Sequence, residues 1–361
     1  MSKYLNRRFA GLDVYTPGEQ PKQMQYIKLN TNESPYPPSP EVIAAVNARE
    51  IADLRLYPDP ECLVLKERLA ALYGVGRENV YLANGSDDIL NFAFMAFAGD
   101  GKKAWFPSIS YGFYPVYADL HQIDAVQVPL LEDFTLDPAD YCSLTGPGQE
   151  GGLICIANPN APTGLALSLG QIRQILDANP DKVVLIDEAY VDFGAASAVR
   201  LTADYENLLV VQTFSKSRSM AGARLGFAIA NRQLIADLDR LKYSTNPYSI
   251  NRLTQTAAIA AVDSNDYYAA NCQRIMDTRQ YTADALRNLG FTVIPSMANF
   301  LFVKSPQIDG TALYEELKAR GVLIRHFAKP EITDYNRITI GSKEEMKTFL
   351  EKIREILEEM S

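Results

Sequence analysis

The sequence predicts an α/β protein with a large, mostly parallel sheet domain followed by a smaller α+β domain. Three observations lead there. Between about residues 60 and 245, short apolar runs alternate with helical patterns. Those runs lack polar alternation, as strands covered on both faces do. Past about residue 250, long helical patterns lead into a second group of shorter runs. A length of 361 residues is enough for two domains, each with its own core.

The first 40 or so residues are rich in Pro, Asn and Tyr and read as an extended arm. The predicted strands of the large domain are Val80–Ala83, Lys103–Phe106, Gly152–Ala157, Val183–Asp187, Leu208–Thr213 and Leu225–Ala230. Residues 250–287 read as one or two long helices. Strands are then expected near Phe291–Ile294, Asn299–Val303, Val322–Arg325 and Arg337–Ile340, with a helix near Gly310–Arg320. In the last helix, Met346, Phe349, Leu350, Ile353, Ile356 and Leu357 share one stripe and form a core face. The expected division is an arm over 1–40, a large domain over 41–250 and a small domain over 251–361.

Composition excludes several function classes. The chain has 35 basic and 44 acidic residues, a formal charge of −9. An acidic chain without basic runs argues against nucleic acid or an anionic membrane as partner. A locally positive pocket for a small anion stays open. No apolar stretch reaches the ~20 residues of a membrane span. The N-terminus lacks the apolar core of a signal peptide, so the expected location is the cytoplasm. Cys62, Cys142, Cys155 and Cys272 are scattered and are expected as reduced thiols. With only His121 and His326 and no clustered ligands, no metal is expected.

Five segments carry chemistry. The first is TFSKSRSMAGARLGF, residues 213–227. A lysine at a strand end is usually a surface lysine. Here Lys216 sits between Ser215 and Ser217, with Arg224 eight residues on. A lysine that attacks carbonyls needs a depressed pKa, which a nearby cation favours. Arg224 and Ser215 also suit a phosphate. The second segment is VVLIDEAYVDF, residues 183–193. Its strand delivers Asp187 at a carboxyl end, where open α/β sheets bind ligands. Asp187 either caps the next helix or pairs with a protonated ring nitrogen. The Tyr190 phenol can reach a ring oxygen.

The third segment, NGSDDIL at 84–90, places a glycine turn at a helix N-terminus and offers free N–H groups to a phosphate, or simply a helix cap. The fourth, NPNAPTG at 158–164, is a rigid loop at a strand end. The fifth, FPSISYGFYPVY at 106–117, holds Tyr111, which is either core or a stacking partner for a planar ring.

Together these segments resemble the fold-type I aminotransferases, which depend on pyridoxal 5′-phosphate (PLP), and within them the histidinol-phosphate aminotransferase family. LNTNESPYPPSP (29–40), LRLYPDP (54–60), ANFLFV (298–303) and RITIG (337–341) extend the likeness over most of the chain. The resemblance implies a seven-stranded sheet and a homodimer with shared active sites. It implies Lys216 as the cofactor's covalent tether and catalytic base, Asp187 as partner of the ring nitrogen and Tyr190 as partner of the 3′-oxygen. Ser86, the amide of Asp87, Ser215 and Arg224 match the phosphate cup, and Tyr111 the stacking aromatic. Tyr57 matches a tyrosine that reaches the neighbouring subunit's cofactor. Arg337 matches the clamp on the substrate α-carboxylate, and Asn32 lies near the substrate. Tyr15 and Arg325 are candidates for the substrate's side chain or phosphate.

Two departures stand out. The family's usual asparagine before Pro-Thr-Gly is Ala161 here, leaving Asn160 as the candidate to supply the amide. Leu56 separates Arg55 from Tyr57, where the common form has them adjacent. The implied reaction is amino transfer from L-histidinol phosphate to 2-oxoglutarate, a step of histidine biosynthesis. Alternatives are an aromatic amino acid aminotransferase and a PLP-dependent decarboxylase of an amino acid phosphate. With enzyme motifs starting at residue 29, a PLP-sensing regulator with a DNA-binding extension is the least expected.

Overall fold

A computed structural model of the chain describes residues 2, 4–22, 24–144 and 149–360. Its α/β class and large, mostly parallel sheet are those the sequence predicts. The N-terminal arm runs over the surface and contributes one short strand, β1 (Ile27–Lys28).

The large sheet is built from β2 (Val80–Ala83), β3 (Ala104–Pro107), β4 (Ala125–Val128), β5 (Leu153–Ala157), β6 (Val183–Asp187), β7 (Leu208–Thr213) and β8 (Gly226–Ala230). Their order is β2-β8-β7-β6-β5-β3-β4. All neighbours are parallel except those of β8, which runs antiparallel to both β2 and β7. Val, Ile, Leu and Ala fill the strands, so both faces are covered by helices, as parallel sheets require. Two core clusters lie on opposite sides. One holds Trp105, Ile154, Val184 and Phe227; the other holds Phe94, Phe106, Tyr114 and Leu185. The strand missing from the sequence reading is β4. It is an edge strand with exposed Val126 and Gln127, so it lacks a full apolar run.

Two long helices, Arg252–Asp263 and Asn265–Asn288, lead to an antiparallel sheet. It contains β9 (Thr292–Ile294), β10 (Phe300–Lys304), β12 (Arg325–His326) and β13 (Asn336–Thr339), in the order β12-β13-β10-β9. The predicted strand at 322–325 is split. Its first half, β11 (Val322–Leu323), pairs in parallel with β1 of the arm instead. The closing helix, Lys343–Glu359, buries Met346, Phe349, Leu350, Ile353 and Ile356 against this sheet.

Candidate active site

Strand register assembles the site. In the parallel pairs, Ala157 is level with Asp187 and Asp187 with Val211. The carboxyl ends of β5, β6 and β7 therefore form one rim, where ligands bind in open α/β sheets. The loop 158–164, Asp187 and the turn bearing Lys216 all leave from that rim. Thr213 and Ala83 both lie level with Gly226, which brings the 84–86 turn beside Arg224. Gly226 is required there, because a Cβ would stand 2.4 Å from the Ser86 amide nitrogen. Gly85 is required too: its φ is +88°, and a Cβ would meet the Arg224 guanidinium at 2.6 Å.

A cavity of about 160 Å³ opens on this rim and is lined by Ser86, Asp87, Asp187, Ser215, Lys216 and Arg224, among others. Lys216 is partly buried, and its Nζ donates to the Thr31 carbonyl at 3.2 Å. Burial lowers its pKa to about 8, and the Arg337 guanidinium adds to the effect. The sequence reading gave that role to Arg224, which contributes less than Arg337. Asp187 is buried, which raises its carboxyl to about 6 against the opposing hydrogen bonds it accepts. Tyr114 donates to its Oδ2 at 2.9 Å, and the Ala189 amide to its Oδ1 at 3.3 Å. Asp187 lines the cavity, and the short helix that follows, Val191–Phe193, has no side-chain cap, so the carboxylate does not serve as a helix cap.

The helix Ser86–Phe97 starts without a side-chain cap, so its first amides are not taken by a capping side chain. Arg224 pairs with Asp87 at 3.0 Å and lies 3.5 Å from Ser215 Oγ. The Asp87 carboxylate also accepts from the Tyr111 hydroxyl at 2.7 Å. Asp87 thus holds two walls of the cavity by its side chain, where the sequence suggested only its amide.

A second cavity, of about 530 Å³, adjoins the first and shares Lys216, Tyr190, Tyr111 and Ala161 with it. Arg325 and Arg337 line it together with Tyr15 and Asn32. Arg337 donates to the Asn30 carbonyl at 3.0 Å, while its buried Nε has no partner among the described residues. Tyr15 stacks on Phe113 at 4.0 Å. Lys329 also lines this cavity and donates to the Ser108 carbonyl at 2.7 Å. No motif in the sequence marked Lys329. Tyr114 was within reach of the sequence reading, since it lies in the aromatic run that contains Tyr111.

Two expected residues stand apart. Asn160 lines neither cavity. Its Oδ1 accepts from Ser110 at 2.7 Å, and its Nδ2 donates to Ile109 O and Thr163 Oγ1. That amide is spent on bracing the loop, which corrects the expectation that it replaces the missing asparagine. Tyr57 is 79% exposed and stacks on Tyr248, away from both cavities of its own chain.

A family model described as aminotransferase class I and II matches residues 24–353. The chain belongs to this family. The aminotransferase is 49% identical over 358 residues to histidinol-phosphate aminotransferase of Brachyspira hyodysenteriae, covering 99% of each chain. It is 46% identical over 360 residues to the same-named protein of Clostridium botulinum, covering both chains fully. It shares its fold with a histidinol-phosphate aminotransferase from Sinorhizobium meliloti solved with PLP, at a TM-score of 0.85, 24% identity and coverage of 93% and 92%. PLP is the cofactor of class I and II aminotransferases. The residues present suit it. The two-glycine cradle leaves room beside a guanidinium and free helix amides, and a lysine of lowered pKa and a buried carboxylate share the same cavity.

Proposed function

We propose that this aminotransferase moves the amino group of L-histidinol phosphate to 2-oxoglutarate, as a step of histidine biosynthesis. The observation that carries the reading is the pair Arg325 and Arg337 in the large cavity, next to Lys216. One guanidinium serves the α-carboxylate of glutamate and the other the phosphate of histidinol phosphate. The relatives' names point the same way.

In this reading Lys216, Asp187, Tyr190, Tyr111, Ser86, Asp87, Ser215 and Arg224 hold PLP. Bound there, PLP supplies an electron sink for charge developing at the substrate α-carbon. Asp187 keeps the ring nitrogen protonated, since a carboxylate beside a cation stays ionised. Arg224, Ser215 and the first helix amides hold the phosphate. Lys216, whose lowered pKa favours the uncharged amine, would be the residue that tethers the cofactor. Its amine would also take the substrate's α-proton and hand it back. Arg337, which lines the larger cavity, clamps the α-carboxylate in this reading. Tyr15, stacked on Phe113, shields the substrate from water.

The reading extends to a cytoplasmic homodimer with a small domain starting near residue 251. No helix among the described residues is long and apolar enough to cross a membrane. Ile51, Leu54, Leu56, Tyr57 and Tyr248 form an exposed apolar surface that suits a second copy of the chain. Tyr57 then serves the partner's site.

The test is to mix the PLP-loaded enzyme with histidinol phosphate, phenylalanine or O-phosphothreonine and follow conversion of the cofactor to its amine form by absorbance. Rapid conversion by histidinol phosphate is expected. Rapid conversion by phenylalanine without it would overturn the substrate, and carbon dioxide release from phosphothreonine would move the enzyme to decarboxylation.

A further inference from the structure

The Tyr190 phenol is held in a way that the reaction described so far does not use. Its oxygen accepts a hydrogen bond from Asn32 Nδ2 at 2.9 Å. Asn32 is fully buried and sits in the left-handed region, with φ at 55°. Its amide is pinned from the far side, because Asn32 Oδ1 accepts from Thr339 Oγ1 at 2.9 Å. The same Thr339 oxygen accepts from the Asn32 backbone amide at 3.0 Å. The Asn32 carbonyl in turn accepts from Asn299 Nδ2 at 3.0 Å. Thr339 and Asn299 are buried as well.

Counting donors fixes the direction of every bond. A hydroxyl has one proton, and that of Thr339 is given to Asn32 Oδ1. The flipped amide would aim two N–H groups of Asn32 at Thr339 and take away the acceptor its proton now has. In a buried site that mismatch is costly. The amide therefore presents N–H to Tyr190, whose own proton must point elsewhere. Among the described residues the phenol donates to none, and its ring lies 5.9 Å from Lys216 Nζ across the cavity. Burial holds the phenol protonated by pushing its pKa up. The neighbouring wall offers no amide, since Ala161 lines it and Asn160 is spent elsewhere.

We infer that Asn32, locked by Thr339, is a positioning residue that makes the Tyr190 hydroxyl a one-way donor into the cofactor cavity. The role rests on the placement of PLP in that cavity. It moves Asn32 from a substrate contact to a residue that acts through Tyr190. It also ties the cofactor site to the small sheet, because Thr339 is the last residue of β13.

The pH titration of the loaded enzyme's visible absorption band tests this. A proton on the Lys216 nitrogen is favoured by negative charge on the ring oxygen beside it, and a donor to that oxygen reduces the charge. Other groups acting on Lys216 are Arg337, Asp87, Glu33 and Arg224, and they stay in place. Losing the donor should raise the midpoint by roughly one pH unit. Asn32→Asp keeps the shape but only accepts, so it captures the phenol proton and reverses the bond. Its midpoint should rise as in Tyr190→Phe, and the double variant should rise no further. Thr339→Val should shift the midpoint in the same direction, with Thr339→Ser restoring it. An unmoved midpoint in both Asn32→Asp and Thr339→Val, or additive shifts in the double variant, would overturn the positioning role alone. A wild-type chain without a PLP-dependent band would overturn the cofactor placement, and this role with it.

Discussion

The two cavities share a wall and differ in how they are made. The smaller is built from turns that leave adjacent strand ends, so sheet register places its residues. The larger is lined by segments far apart in the chain: the arm at 13–18, the loop at 108–112 and the small sheet at 325–337. Rigid strand ends suit a cofactor whose shape never changes. A cavity shared by residues 13–18, the 108–112 loop and the small sheet suits two substrates of different shape. The chemistry is therefore written in local motifs, and the choice of substrate in long-range packing.

Substitutions can break or sharpen this contrast. The largest effect is expected at Lys216. Lys216→Ala should lose turnover by more than about 10³-fold, over 4 kcal/mol of barrier, for every substrate alike. Equal residual rates in both half-reactions would confirm that the small cavity serves both. A pH measurement on the wild type sharpens the point. If Lys216 is the tether proposed above, the rate at which the cofactor-free chain takes up PLP should climb as pH rises through about 8 and level off above it. An exposed lysine would keep climbing toward about 10.4. Stopped-flow absorbance reads the difference.

Next is Asp187→Asn, expected to lower turnover by roughly 10²-fold or more. Stability should move the other way. Because the folded carboxyl is raised to about 6, the stabilisation from its protonated form is complete only below its ordinary value. It is lost as pH rises through about 6. At pH 8 the cofactor-free variant should melt no lower than the wild type, and the advantage should vanish near pH 4. A lower melting temperature at pH 8 would show that the buried charge is paid for elsewhere.

In the large cavity the effects should separate by substrate. Arg337→Ala should raise the KM for glutamate by roughly 30-fold or more, about 2 kcal/mol. Arg325→Ala should weaken histidinol phosphate by on the order of tenfold and leave dephosphorylated histidinol unchanged. If both variants harm both substrates equally, the two arginines act as one site. Tyr15→Phe should be the mildest, within about threefold in kcat/KM, because the ring that stacks on Phe113 remains.

Much of this was legible in the sequence, and the failures share a cause. Unbroken apolar runs marked the six strands that both faces cover. The edge strand β4 escaped because Gln127 and Val126 face solvent. Lys216, Asp187, Ser86 and Arg224 line the smaller cavity, and the sequence points to them because each lies at or near a strand end: Asp187 closes β6, Ser86 and Lys216 stand three residues past β2 and β7, and Arg224 stands two before β8. Asn160 was misjudged because its neighbour in the chain, Ala161, takes the place at the cavity wall while the amide turns to Ser110 and Ile109. Lys329 and the Asn32–Thr339 pair were not readable, since partners about 220 and 307 residues away decide their roles.

The pairing of β1 with β11 makes the order of the parts differ from the order of the chain. Ile27 lies beside Val322, and the Asn30 carbonyl holds Arg337. The opening segment is thus stitched into the body formed by the closing hundred residues. A protease cut in the exposed stretch at residues 47–49 would divide the polypeptide without freeing the shorter piece, which would stay docked and keep Tyr15 at the pocket mouth. A chain rejoined head to tail and reopened at that stretch would carry the same active site, with the substrate-facing body encoded as one continuous run.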